Sequence, residues 1–148
     1  MFTSIAVQPI CLPDPGQNYE NMTALVTGWG RLNYSGPQPD ILKELNVTTI
    51  SNQECQASYG HHRITENMIC TAEVGKDSCK GDSGGPLAVL GQNGSYSQIG
   101  IVSWGSDSAS PGYPGVYTRI SSLLGWIEKL ILPPVQGGAA RGNISCQD

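Results

Sequence analysis

The sequence predicts an all-β fold, a six-stranded Greek-key antiparallel barrel followed by a C-terminal helix, and three observations carry that expectation. Nineteen glycines and ten prolines interrupt a chain of 148 residues of which only 14% are charged, a density of turn formers that favours short strands over long helices. Six short apolar or alternating runs recur between the turn clusters, at a spacing that suits a barrel. One stretch near the end switches to a helical period.

In order, the predicted strands are 24–27, 45–50, 68–71, 87–90, 98–104 and 115–119. Gln92-Asn93-Gly94-Ser95 joins the fourth to the fifth, and its Asn-Gly pair favours a hairpin turn. Ser121 or Ser122 then offers an N-cap, and Leu123, Leu124, Ile127, Leu130 and Ile131 share a helical face, so this helix is expected to dock on the barrel. Pro133-Pro134 ends it. These breaks divide the chain into a barrel domain at 1–132 and a flexible tail at 133–148, glycine- and alanine-rich and then polar.

A formal charge of −4 offers no basic face for nucleic acid. No apolar run approaches the roughly 18 residues of a membrane helix. The first residues, Met1 to Val7, lack a basic region and run into Gln8-Pro9, unlike a signal peptide. Five N-glycosylation sequons nonetheless begin at Asn21, Asn33, Asn46, Asn93 and Asn143, more than eight asparagines should give by chance, and they point to the secretory pathway. Secretion without a signal peptide implies a fragment of a longer glycoprotein.

The chemistry concentrates in Lys76-Asp77-Ser78-Cys79-Lys80-Gly81-Asp82-Ser83-Gly84-Gly85-Pro86. Glycines on both sides of Ser83 permit backbone conformations and close substrate approach that a Cβ resists, and the amides of Gly81 and Ser83 can then point at one developing oxyanion. The string resembles the nucleophile loop of trypsin-like serine endopeptidases, whose fold is a pair of chymotrypsin-like barrels. Val7-Gln8-Pro9-Ile10-Cys11-Leu12-Pro13, Thr27-Gly28-Trp29-Gly30, Ile101-Val102-Ser103-Trp104-Gly105 and Pro114-Gly115-Val116-Tyr117-Thr118-Arg119 are similar to that family's other landmarks, in the family's order, over about residues 1–131.

The resemblance implies acyl-enzyme proteolysis with Ser83 as nucleophile and Gly81 in the oxyanion hole. Asp77 takes the position at the base of the specificity pocket, with Ser78 beside it, Ser103 and Trp104 along the substrate, and Gly105 and Gly115 on the open walls. A carboxylate at the bottom of an apolar slot favours a cationic partner, so the expected substrate is a protein or peptide cleaved after Arg or Lys. Asp82 is expected to order the site by pairing with an amino terminus freed on activation. No cofactor or metal is implied.

A serine needs a neighbouring base, oriented in turn by a carboxylate. In this family both lie upstream of the Pro-Ile-Cys-Leu-Pro landmark, which here begins at Pro9, so the expectation is a C-terminal half lacking the catalytic histidine and aspartate and inactive alone. The chain's two histidines, His61 and His62, fall in Gln56-Ala57-Ser58-Tyr59-Gly60-His61-His62-Arg63, which reads as a polar surface loop. Adjacent histidines point apart and no paired cysteine knuckle accompanies them, so neither catalysis nor zinc is expected there. The runner-up is a non-catalytic secreted protease-like binding module, followed by a glycosylated structural module of a larger extracellular protein.

The cysteines follow from the same resemblance. Cys55 and Cys70 match a local disulfide whose closure of about 15 residues contributes roughly 3 kcal/mol in the chain-entropy model. Cys11 resembles the cysteine that ties the domain to an upstream light chain or propeptide. Ala24 and Val89 replace a cysteine pair across the barrel. Cys79 loses its usual partner in the 106–113 loop, and whether it stays single, joins Cys146 or joins a missing half is open. The face that would pack on a first barrel is expected to be apolar and exposed.

Overall fold

Residues 7–32, 36–72, 80–105 and 112–131 are described by the computed structural model, and Lys76, Asp77, Ser78, Cys79 and the predicted tail lie outside them. The strands are β1 (Thr23–Gly28), β2 (Lys43–Ile50), β3 (Met68–Ala72), β4 (Pro86–Leu90), β5 (Tyr96–Trp104) and β6 (Gly115–Arg119). They close into an antiparallel barrel in the order β1-β2-β3-β6-β5-β4. Period-two alternation sets which residues point inward: Ala24 and Val26 of β1 and Val47 and Thr49 of β2 are buried, while Asn46 and Thr48, which alternate with the latter pair, are exposed. The predicted runs all become strands, extended by one or two residues where pairing continues past the apolar core, as at Lys43 and Tyr96.

The barrel interior is one apolar cluster that includes Ala24, Val26, Val47, Ile69, Leu87, Val89, Ile99 and Tyr117. Ala24 and Val89, at the positions of the family's cysteine pair, are both buried in it. Among the described residues the buried side-chain polar atoms are satisfied: Thr49 Oγ1 accepts from the Met22 amide at 2.9 Å and donates to the Tyr19 carbonyl. The Tyr19 hydroxyl in turn accepts from the Asp14 amide at 2.8 Å, and burial pushes its pKa up.

Two local expectations are corrected. The segment read as a loop begins with a helix, α1 (Asn52–Tyr59). Its start is a reciprocal cap, in which Ser51 Oγ accepts from the Glu54 amide at 3.1 Å and Glu54 accepts from the Ser51 amide at 3.0 Å. Only Cys55 of this helix is buried, so it has no apolar stripe for a periodicity reading to detect. The C-terminal helix α2 (Leu124–Ile131) is entered through a 3-10 turn at Ser121–Leu123, and neither serine caps it; Ser122 Oγ donates back to the Arg119 carbonyl at 2.8 Å. Leu124 is buried, but Leu130 and Ile131 are 66% and 59% exposed, so docking is confined to the first turn.

The expected hairpin is present, with the Gly91 amide on the Ser95 carbonyl at 2.8 Å and Gly94 at φ +80°. His61 and His62 are exposed, as the surface reading requires, and His61 Nδ1 lies 3.1 Å from Gln56 Oε1 on α1. Cys55 and Cys70 form the expected disulfide, beside a small second cluster of Ile64 and Val116. Cys11 is buried and also disulfide-bonded.

Candidate active site

The Ser83 turn is fixed to the end of β5 by backbone alone. The Gly84 amide donates to the Val102 carbonyl at 2.9 Å, the Val102 amide to the Gly85 carbonyl at 2.9 Å, and the Gly85 amide closes the turn on the Asp82 carbonyl at 2.8 Å. Gly81 at φ +107° and Gly84 at φ +85° take conformations that a Cβ disfavours, which is why glycines flank the serine. Ser83 is left exposed at the crest, and none of the other described residues hydrogen-bonds its hydroxyl.

The turn is anchored from below by a contact that sequence reading missed. The Asp82 carboxylate accepts from the Gly30 amide at 2.7 Å, a bond across 52 residues. A Cβ placed on Gly28 or on Gly30 would overlap that carboxylate, and one on Gly81 would come within 3.1 Å of the Gly30 Cα. The glycines of Thr27-Gly28-Trp29-Gly30 thus form a cradle in which the carboxylate replaces side chains. The motif is visible in the sequence; its contact with Asp82 is not.

Past Val102 the strand bulges, because Val102 faces Tyr117 while Trp104 faces Val116, and the extra residue is Ser103. Ser103, Trp104 and Gly105 therefore run on beside the Ser83 turn, with buried Gly115 at the facing start of β6. Two further aromatic residues brace this edge. Tyr59 of α1 meets Trp104 edge-on at 4.9 Å and Tyr113 at 5.4 Å, and its hydroxyl donates to the Pro114 carbonyl at 2.7 Å. Gly81, Asp82, Ser83, Ser103, Trp104, Gly105 and Gly115 thus gather at one end of the barrel, while Asp77 and Ser78 lie outside the described residues.

A family model described as Trypsin matches residues 3–127. The chain belongs to the trypsin family. It is 48% identical to Trypsin-1 of Astacus astacus over 82% of this chain and 52% of that protein. Venom serine protease Bi-VSP of Bombus ignitus is 44% identical over 88% of this chain and 38% of its own length, and clotting factor G beta subunit of Tachypleus tridentatus 37% identical over 84% and 44%. This trypsin-family chain therefore spans about half the length of the curated relatives it matches or less. No described helix is long and apolar enough to cross a membrane.

Proposed function

We propose that residues 1–132 are the C-terminal barrel of a secreted trypsin-like serine endopeptidase that cleaves after Arg or Lys, and that 133–148 is an appended tail. Ser83 is the nucleophile. Its oxygen attacks the scissile carbonyl while a histidine outside this sequence takes the proton; that histidine then protonates the leaving amine, and water hydrolyses the acyl-enzyme. The Gly81 and Ser83 amides receive the oxyanion, Asp77 and Ser78 bind the cationic side chain, and Ser103, Trp104, Gly105 and Gly115 border the bound peptide.

The single observation that carries this reading is the exposed Ser83 on a turn locked by Val102 and anchored through Asp82 to Gly30. An ordinary turn serine has no need of a carboxylate held in a cradle of glycines. Support for a missing partner barrel comes from Trp29, Leu32, Ile41 and Leu42, which are 47–74% exposed around the end of β1 and the start of β2. Such a patch costs solubility unless another surface covers it. Alone, the chain is proposed to be inactive, because no described residue hydrogen-bonds the Ser83 hydroxyl and His61 meets Gln56 instead.

The test is reaction of Ser83 with a fluorophosphonate and hydrolysis of Arg- and Lys-anilides, measured on the natural protein that contains this chain and on residues 1–148 alone. The longer protein should label and turn over, Ser83→Ala should cost at least about 10⁴-fold in kcat/KM, and the isolated chain should do neither. A natural protein that binds peptides but never labels would favour the binding module.

A further inference from the structure

We propose that Asn21 and Asn93 both carry N-linked glycans, which together cap the end of the barrel opposite Ser83 and cover an open cavity and exposed apolar side chains there. This needs the chain to pass through the secretory pathway but not the protease reading. Three of the five sequons fall on described residues, at Asn21, Asn46 and Asn93, and all three asparagines are exposed. Asn46 stands on the outer flank of β2, opposite Leu25 of β1, whereas the other two belong to one end.

The topology brings Asn21 and Asn93 together. Asn21 lies two residues before β1, with its amide on the Thr49 carbonyl at 2.9 Å near the end of β2. Asn93 lies in the turn between β4 and β5. Strands β1 and β4 are antiparallel with Leu25 facing Ala88, so the start of β1 and the end of β4 are level. Met22 and Asn93 accordingly border the same open cavity, of about 530 Å³, together with Leu12 and Leu90. The glycines that cradle Asp82 begin at Gly28, at the other end of β1 and roughly 17 Å from Thr23 along the strand. Leu90 and Tyr96, paired across the hairpin that carries Asn93, are both exposed. Burying such an apolar pair is favourable, and a bulky, solubilising group attached at the cavity rim is placed to do it.

Local conformation accounts for each asparagine but not for the rest of its sequon. Asn21 sits at φ +57°, a region asparagine tolerates better than most residues. Asn93 Oδ1 accepts from the Ser95 amide at 3.0 Å, which folds the side chain over its own turn. Neither conformation needs a hydroxyl two residues on, and neither Thr23 Oγ1 nor Ser95 Oγ hydrogen-bonds to another described residue. Those hydroxyls are what a sequon requires. Both Nδ2 atoms are also without a hydrogen bond among the described residues, so attachment there breaks no contact of the fold. In the transfer, Asn Nδ2 attacks the anomeric carbon of an oligosaccharide held on a polyprenyl diphosphate. A carbon–nitrogen bond forms, the carbon–oxygen bond to the diphosphate breaks, and the lipid diphosphate leaves with the electron pair while Nδ2 gives up one proton.

The deciding experiment treats the natural protein that contains this chain with peptide N-glycanase in heavy-oxygen water, which turns each glycosylated asparagine into an isotopically marked aspartate, and reads the sites by peptide mass. Marks at both Asn21 and Asn93 are expected, and an unmarked Asn21 or Asn93 overturns the proposal. Fluorophosphonate reaction of the same sample tests the protease reading separately: a reactive Ser83 with unmarked asparagines removes only the glycan cap, and marked asparagines with an unreactive Ser83 remove only the protease. The covering itself is read by hydroxyl-radical footprinting of the Asn21→Gln, Asn93→Gln double variant against the glycosylated protein. Tyr96 at the capped end and Tyr113 beside Tyr59 are similarly exposed in the bare polypeptide, at 43% and 46%. Loss of the glycans should raise modification of Tyr96 several-fold and leave Tyr113 unchanged. A rise at both tyrosines, or at neither, overturns the cap. Should the double variant not be secreted, the same comparison is made after trimming the glycans of the folded protein with an endoglycosidase.

Discussion

The turn that carries Ser83 and the lobe closed by Cys55 and Cys70 meet at the same strand, yet they are held by opposite means. Val102 of β5 binds the Ser83 turn, and Trp104, two residues on, packs against Tyr59 of the lobe. The turn is fixed by backbone hydrogen bonds and by glycines too closely packed to accept a Cβ. The lobe is fixed by a covalent bond, a capped helix and a tyrosine hydroxyl. Close packing fixes position but admits no change of residue, whereas a crosslink stabilises by restricting the unfolded chain and leaves most of its loop free to vary. A site whose reacting atoms must be placed within a fraction of an ångström needs the first kind of support.

The largest effect should come from breaking the cradle. Gly30→Ala drives a methyl into the Asp82 carboxylate, and we expect a loss of about 4 kcal/mol, near the upper limit for point substitutions, read as a shift in the urea midpoint. An unchanged midpoint would mean the turn has room to yield, and the contrast with the lobe would disappear. Replacing Cys55 and Cys70 together by alanine should cost about 3 kcal/mol. In that variant amide exchange should accelerate in α1 while β4 and β5 stay protected; uniform acceleration would show that the lobe is not a separate unit.

Tyr59→Phe removes only the hydroxyl that bonds the Pro114 carbonyl and should cost about 1 kcal/mol, with the ring contact to Trp104 kept. The test is the thermal midpoint together with Trp104 fluorescence, which should stay unchanged. The smallest effect is one of pH. Hydrogen bonds from Ser51 hold the Glu54 carboxyl below its ordinary range, so its contribution to α1 is present above the unfolded glutamate value and fades as pH falls through the lowered folded one. Helicity of α1, followed by α1 amide shifts during acid titration, should show this loss, and Glu54→Gln should abolish that dependence.

Much of this molecule was legible before its structure. The six strands and the hairpin at Gln92–Ser95 rest on alternation and turn chemistry acting over a few neighbouring residues, and so does the glycine-flanked presentation of Ser83. The Ser51 and Glu54 capping signal was present too, but α1 lacks an apolar face and so left no periodic trace. Tertiary structure alone decided the rest: the docking of Gly30 on Asp82, the meeting of Tyr59, Trp104 and Tyr113, and the 3-10 entry to α2 in place of a serine cap. The division has a physical reason. Strand and turn preferences are set by short-range sterics that each residue carries with it, whereas contacts between residues dozens of positions apart exist only once the barrel has closed and brought their backbones together.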